Sequence, residues 1–377
     1  MRGARRWLLS AGYVGVLALA TLIASEVLFR LLAAVAPAGS GLDRVRVFTL
    51  GPVNFGECDE VAWKRQFLRT TSRQFGFGSM LVPHPTRGWS PRPNHREVVQ
   101  GKRYSINDAG ARADSAWRPD AGRYPILVVG DSFTFGSDAD DADTWPSRLQ
   151  SLDRRLHVIN LAAPGYGVDQ MYITAHEEIR TYRPRLVILA FIEDDLLRAT
   201  LRFREFKKPR FELVGVRLVL TNTPIGSIDD VYREVHGELG DDRPSPLRTV
   251  ELGRNLYRAL RIRYRCLWPS ARLNRRIIEE TRETAGEMGA DFLLVYLASN
   301  LEIQDPGYAS AGEEFFRRFV IEHRVEALNT RPDFLRQLGR YAFGHYHAAE
   351  ADLVSRLVYA RITRLRSWQS FAAAPTS

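Results

Sequence analysis

The stretch Pro125-Ile126-Leu127-Val128-Val129-Gly130-Asp131-Ser132-Phe133-Thr134-Phe135-Gly136 runs apolar from Ile126 to Val129 and then breaks into a glycine, a carboxylate and a serine. An apolar run without polar alternation reads as a strand buried on both faces of a parallel sheet. Ser132 then stands at the carboxyl end of that strand, the edge at which open α/β sheets bind their ligands. Gly130 lets the chain turn sharply, and a helix beginning after it would aim its first N–H groups at whatever Ser132 attacks. The plainer alternative is a strand-to-helix junction with Ser132 as its cap.

Working outward, His157-Val158-Ile159-Asn160-Leu161 reads as a second strand, running into Ala162-Ala163-Pro164-Gly165-Tyr166-Gly167-Val168-Asp169-Gln170. A helical stretch from Met171 to Tyr182 leads to a third buried strand over Arg185–Ile192. Asp291–Leu297 is a fourth, preceded by a helix ending near Gly289, and the chain closes with an amphipathic helix to about Arg366. Strands alternating with helices at this spacing predict a parallel α/β sheet with right-handed crossovers. Residues 201–282 break the repeat. They hold a hairpin around Phe211 to Leu220 and a basic run, Arg254 to Arg276, in which arginines interleave with Leu, Tyr, Ile and Trp268. That run reads either as an amphipathic helix on lipid headgroups or as a helix whose arginines face water.

The Gly130-Asp131-Ser132 turn resembles the first block of the SGNH, or GDSL-like, hydrolases, the phrases His84–Trp89 and Tyr104–Arg112 resemble the lead-in that membrane-anchored bacterial members carry before it, and further blocks follow in that family's order. Thr134 excludes the Gly-x-Ser-x-Gly elbow of α/β-hydrolases. Gly165 matches the glycine whose N–H donates to the oxyanion, a place where a Cβ would obstruct the backbone's approach. The third block places an asparagine, whose amide is a further oxyanion donor, after the third strand. Here the text is Glu193-Asp194-Asp195, so a carboxylate, Asp194 or in the other register Glu193, replaces the amide. An ionised carboxylate cannot donate and repels an oxyanion. His345, in Phe343-Gly344-His345-Tyr346-His347, matches the general base, with His347 second. Phe343 stands where the family has the aspartate that orients the histidine, leaving Asp194 or Asp333 as candidate substitutes. The resemblance implies a three-layer α/β/α flavodoxin-like domain and a serine nucleophile that attacks esters, with no metal and no cofactor.

The acidic loop Asp138-Ala139-Asp140-Asp141-Ala142-Asp143 lacks the glycine and distal glutamate of a calcium site, and reads as a solvated loop capping a helix that starts near Thr144. His84 and His95, in loop-like phrases, receive no chemistry. Cys58 and Cys266 are the only cysteines, which excludes a disulfide framework and a cysteine zinc site but leaves one bridge open.

Ahead of all this, Arg2, Arg5 and Arg6 precede an uncharged apolar run from Trp7 to Ser25, and the helical pattern continues to about 35. The length spans a bilayer, and the arginines keep the N-terminus inside. A cleaved signal with Ala34-Val35-Ala36 as its site is the rival. The run is long for a signal and Pro37 follows directly, which favours a retained anchor. The expected organisation is an anchor over 1–36, a lead-in over 37–122 that packs on the main domain, and an SGNH-like domain over 123–370 with its insertion at 201–282. The whole chain of 377 residues carries a net charge of +9, nearly all from arginine. That charge suits anionic lipid or glycan. Nucleic acid is excluded by the extracytoplasmic placement and the lack of a stacking motif. The expectation is a single-pass membrane protein with its main domain periplasmic or extracellular. It would be an esterase or acyltransferase on acylated sugars, polysaccharide or small esters, with partners in envelope polysaccharide synthesis. The alternative is a weak or silent SGNH-fold protein that binds glycan or a protein.

Overall fold

The computed structural model describes residues 2–35, 41–50, 53–70, 78–120, 122–240, 244–267, 270–339 and 344–374. The chain opens with a single helix, α1 (Arg2–Val35). Its Gly12–Leu32 stretch is long and apolar enough to cross a membrane, and none of it is buried against the rest of the protein. α2 (Gly41–Leu50) and α3 (Glu60–Arg69) follow, the latter started by Asp59, whose carboxylate accepts from Ala62 N at 3.1 Å. Cys58, just before that cap, is disulfide-bonded. The Cys266 side chain and Phe343 lie outside the described residues.

Two antiparallel hairpins make up the lead-in: β1 (Leu81–His84) with β2 (Gly88–Pro91), and β3 (His95–Val99) with β4 (Lys102–Ile106). The β3–β4 turn is Gln100-Gly101 and the link between the two hairpins bends at Asn94, positions where polar residues and glycine accept a left-handed backbone.

The main domain begins with β5 (Tyr124–Gly130), the run that opened the reading. α4 (Ser132–Phe135) follows at once and stops after one turn at the left-handed Gly136. The helix expected after Ser132 is therefore too short to carry a macrodipole. Next come α5 (Trp145–Leu152), which starts where expected but is capped by Thr144 rather than by the acidic loop, β6 (Leu156–Asn160), α6 (Val168–Tyr182), β7 (Leu186–Phe191) and α7 (Glu193–Arg198).

Residues 203–267 add no strand to the central sheet. They form β8 (Phe203–Arg204), β9 (Phe206–Lys207), the hairpin of β10 (Arg210–Val214) and β11 (Arg217–Thr221), α8 (Ile228–Leu239) and α9 (Arg248–Leu267). The Arg254–Arg276 run is not one helix, because α10 (Ser270–Glu287) is separate and buries Ile277 and Ile278 against the domain. The fold then completes itself through β12 (Asp291–Tyr296), α11 (Asn300–Gln304), α12 (Ala311–His323), β13 (Glu326–Asn329), α13 (Arg331–Gln337), α14 (Ala348–Ile362) and α15 (Arg366–Ala373).

The five long-range strands pair in parallel in the order β13-β12-β7-β5-β6. Successive side chains of a strand face opposite ways. Leu127, Val129 and Leu189 accordingly pack with Ile179 of α6 and Ile277 of α10, while Ile126, Val128 and Ile188 pack with Leu149 of α5 and Val354 of α14. This is the expected three-layer flavodoxin-like α/β/α domain. In this order the chain leaves β5 to one side for β6 and returns to the other for β7. The carboxyl ends of β5 and β7 therefore flank the switch point at which such sheets bind ligands.

Candidate active site

Ser132 is seated by the tightness of its turn. A Cβ on Gly130 would come within 2.4 Å of the Thr134 hydroxyl and 2.9 Å of the Ala190 carbonyl, so only glycine lets β5 run straight into α4 beside β7. Asp131 caps the turn, its Oδ1 accepting from Phe133 N at 3.0 Å. The serine hydroxyl then faces a cleft of about 1100 Å³ that is also lined by Gly165, Glu193, Asp194, His345 and His347.

His345 Nε2 lies 2.9 Å from Ser132 Oγ, and its Nδ1 lies 2.8 Å from Asp138 Oδ2. In the tautomer that satisfies both contacts, Nδ1–H donates to the carboxylate and Nε2 accepts the serine hydroxyl. Sequence and structure thus agree in bringing Ser132 to His345, and differ on the acid. Asp333 is paired with Arg336 on its own helix, and the ion pair of Asp194 is with Arg198 at 3.8 Å. The partner is instead Asp138, from the loop read as merely solvated. The loop is held rather than loose. The Arg112 guanidinium donates to the carbonyls of Phe135, Gly136 and Ala139 at 2.8 to 3.0 Å, and Asp138 N donates to the Tyr104 hydroxyl at 2.9 Å. Asp138 itself adopts a left-handed φ of 65°, a conformation that asparagine, aspartate and glycine tolerate best. Its side chain stays 52% exposed, so solvent screens its field on the imidazole.

The histidine is fixed from behind. Tyr346 donates to the Ala298 carbonyl at 2.7 Å and packs on Phe133 with ring centroids 4.9 Å apart, and Asn300 Nδ2 donates to the Gly344 carbonyl at 2.7 Å. His347 is the cap residue of α14 and lines the cleft.

Across the cleft, Gly165 has a left-handed φ of 79°, in a loop clamped by the lead-in. Trp89 Nε1 donates to the Pro164 carbonyl at 2.9 Å, and the Tyr166 hydroxyl donates to the Trp89 carbonyl at 2.6 Å. Glu193 and Asp194, the two candidate replacements for an amide, are doing different things. Glu193 ties α7 to α12, accepting from Ser310 Oγ at 2.9 Å and Ala311 N at 3.1 Å. Asp194 pairs with Arg198 and also lines the cleft, with its side chain 46% exposed.

Arg198, which carried no sequence signal, is the hub beneath. It is buried, with Nη1 2.6 Å from Asp195 and 3.5 Å from Asp131, and its guanidinium also reaches Glu57 at 3.4 Å. One cation among so many carboxylates leaves them unequal. Burial would raise Glu57, but Arg198 and Arg204 hold it down to about 2. Burial, and then the Asp131 charge, push Asp195 well above the ordinary carboxylate range. Burial likewise raises Asp194, with Arg198 opposing and Glu57 adding to the rise. Burial carries Glu205, which lines the same cleft, to about 7 despite Arg204 and Arg198, and among the described residues its Oε2 has no hydrogen-bond partner. Among the described residues no three potential ligands cluster so as to hold a metal ion.

An open α/β/α sheet with a serine, a histidine and a carboxylate in hydrogen-bond series at its switch point defines the class of arrangement. No family model matches the chain, and no curated protein matches it. Solved structures do. A lipolytic protein of the G-D-S-L family from Veillonella parvula is 13% identical with a TM-score of 0.38, over 64% of this chain and all of the other. TesA is 16% identical with a TM-score of 0.35, over 63% of this chain and 98% of the other. An acetylxylan esterase from Geobacillus stearothermophilus is 12% identical with a TM-score of 0.36, over 64% of this chain and 96% of the other.

Proposed function

We propose that the chain is an SGNH-type serine esterase or acyltransferase, held at the outer face of a membrane by α1, that acts on O-acyl groups of sugars, of polysaccharide or of small esters. The observation that carries it is the hydrogen-bonded series from Ser132 Oγ through His345 to Asp138. Ser132 Oγ attacks the ester carbonyl as His345 Nε2 takes its proton. The tetrahedral oxyanion is met by the Ser132 and Gly165 N–H groups. His345 returns the proton to the leaving alcohol, giving an acyl-serine. Water, or an acceptor hydroxyl in the transferase variant, then repeats the attack through the same histidine. Asp138 holds the imidazole tautomer and offsets its positive charge. Asp194 opposes the oxyanion when ionised and donates to it when protonated, so the raised proton affinity of this residue favours the donor form.

The carboxylate at the donor position also supports a second reading, a silent binding protein of the same fold. Turnover of p-nitrophenyl acetate and of acetylated xylan by the detergent-solubilised full chain, lost in Ser132→Ala, supports the enzyme. No turnover in the wild type or in Asp194→Asn supports the silent reading.

A further inference from the structure

Helix α9 presents an apolar ridge that no part of the described chain covers. Val250, Gly253, Tyr257, Leu260 and Tyr264 recur at three- and four-residue spacing and so share one face. Tyr257 is 65%, Leu260 68% and Tyr264 77% exposed. The opposite face is the one that packs. Asn255 Nδ2 donates to the Phe48 carbonyl of α2 at 2.8 Å, Glu251 is buried, and Arg258 pairs with Asp59 at 2.6 Å. Arg254 and Arg261 flank the ridge on one side and Arg263 on the other. An apolar stripe bordered by arginines whose long stems can reach outward to headgroups is the composition of a helix lying in a bilayer interface.

What covers the ridge is indicated by what it joins. The start of α9 is fastened to α1: Thr249 N donates to Glu26 Oε2 at 3.1 Å, Ser25 Oγ and Thr249 Oγ1 lie 3.3 Å apart, and Arg30 Nη2 donates to the Pro246 carbonyl at 2.8 Å. Those contacts fall where the uncharged run of α1 ends, at Ser25-Glu26. That is the level at which a spanning α1 leaves the hydrocarbon and enters the headgroups. Leu247 just before α9, Val250 of α9, and Val47 and Leu50 of α2, all exposed, continue the exposed apolar surface of α1 around this point.

We infer that α9 is an interfacial helix: it seats its Val250-Tyr257-Leu260-Tyr264 ridge among the lipid headgroups of the same bilayer that α1 spans. The inference rests on the membrane-anchored reading of α1. Through Arg258 and Asp59 the seat is joined to the segment bearing Glu57, which pairs with Arg198 beneath the cleft. The catalytic domain is thereby held against the membrane rather than tethered loosely to it.

The test uses the full chain in nanodiscs whose lipids are brominated either near the glycerol backbone or near the bilayer centre. Tryptophan is introduced singly by Tyr257→Trp, Leu260→Trp, Leu19→Trp and Ile321→Trp, all at exposed positions, and the quenching of each is read against the parent chain. The expected result is that Tyr257→Trp and Leu260→Trp gain at least about twofold more quenching from the shallow bromines than from the deep ones, Leu19→Trp shows the reverse, and Ile321→Trp gains none. Quenching at Leu19→Trp with none at Tyr257→Trp or Leu260→Trp overturns the inference and leaves the anchor intact. That includes the case in which the ridge tryptophans shift to the blue regardless of bromine position, which would assign the ridge to a protein partner. No quenching at Leu19→Trp overturns the anchor and the interfacial seat together.

Discussion

The two walls of the cleft are built on different principles. On the wall that moves the proton the close contacts run in series, Ser132 to His345 at 2.9 Å and His345 to Asp138 at 2.8 Å, with Asp131 Oδ2 a distant second partner of the serine hydroxyl at 3.5 Å. On the wall that must stabilise negative charge, Arg198 is shared among Asp131, Asp194, Asp195 and Glu57, and Asp194 stands where an amide donor is expected. The first wall is ready for nucleophilic attack at any pH that leaves the histidine neutral. In the proposed mechanism the second is conditional, because it would supply a third donor only while Asp194 keeps a proton. The contrast teaches that assembling a nucleophile and stabilising its transition state are separate problems, which this chain meets with different completeness.

The comparison breaks first on the proton-transfer wall. Ser132→Ala should abolish ester turnover, a loss of about 10⁴-fold or more, measured with purified full chain on an activated ester. Residual turnover within tenfold of wild type would remove the serine from the mechanism. Asp138→Asn should cost about 10²-fold in kcat. That is less than the roughly 10⁴-fold known for a buried orienting aspartate, because half of this carboxylate is in water. Adding Phe343→Asp, which reinstates the acid two residues before the histidine, should recover part of that loss. An unchanged kcat in Asp138→Asn would show that the 2.8 Å contact does not orient the imidazole.

On the other wall the expected sign is opposite. Asp194→Asn should raise kcat by about 10-fold or more, since one oxyanion donor is worth about 10² to 10³. The advantage should widen as pH rises. Burial lifts the proton affinity of Asp194, so the wild type keeps its donor at lower pH and loses it when the carboxyl ionises. A ratio of variant to wild-type kcat that is flat with pH would place Asp194 outside the oxyanion's reach.

The smallest expected effect concerns stability. Glu205 is almost wholly buried and its proton affinity is raised to about 7, against about 4.3 in an unfolded chain. Between those values the folded state holds a proton that the unfolded state has released, so stability falls as pH rises through the window and is level above it. Glu205→Gln should remove that fall and stabilise the protein by about 1–3 kcal/mol at pH 8. Denaturant unfolding at pH 5 and pH 8 measures it, and an identical pH slope in both proteins would contradict the assignment.

Much of the fold was legible because buried parallel strands announce themselves as unbroken apolar runs. β5, β7 and β12 fall within about a residue of their runs. β13, Glu326-Ala327-Leu328-Asn329, was not legible, since a short edge strand with polar ends carries no such pattern. Within the site, the pairing of Ser132 with His345 could be read because each occupies a fixed place, the one after a strand and the other before α14. Asp138 could not, because its partner is 207 residues away and the contact depends on the course of a loop that Arg112 and Tyr104 shape from the lead-in. The available signal was indirect: Phe343 leaves the histidine without its expected acid, and the Asp138–Asp143 loop offers carboxylates just past the nucleophile. Arg198 gave no signal because its importance lies in what it is buried among.

The most direct measurement is covalent capture of the nucleophile. The full chain is treated with a p-nitrophenyl alkylphosphonate, and the adduct is located and timed by mass spectrometry in the wild type, His345→Ala and Asp138→Asn. The account predicts a single adduct on Ser132, absent in His345→Ala and formed about 10²-fold more slowly in Asp138→Asn. An adduct on another residue, or one forming on Ser132 at the same rate in all three proteins, would contradict it.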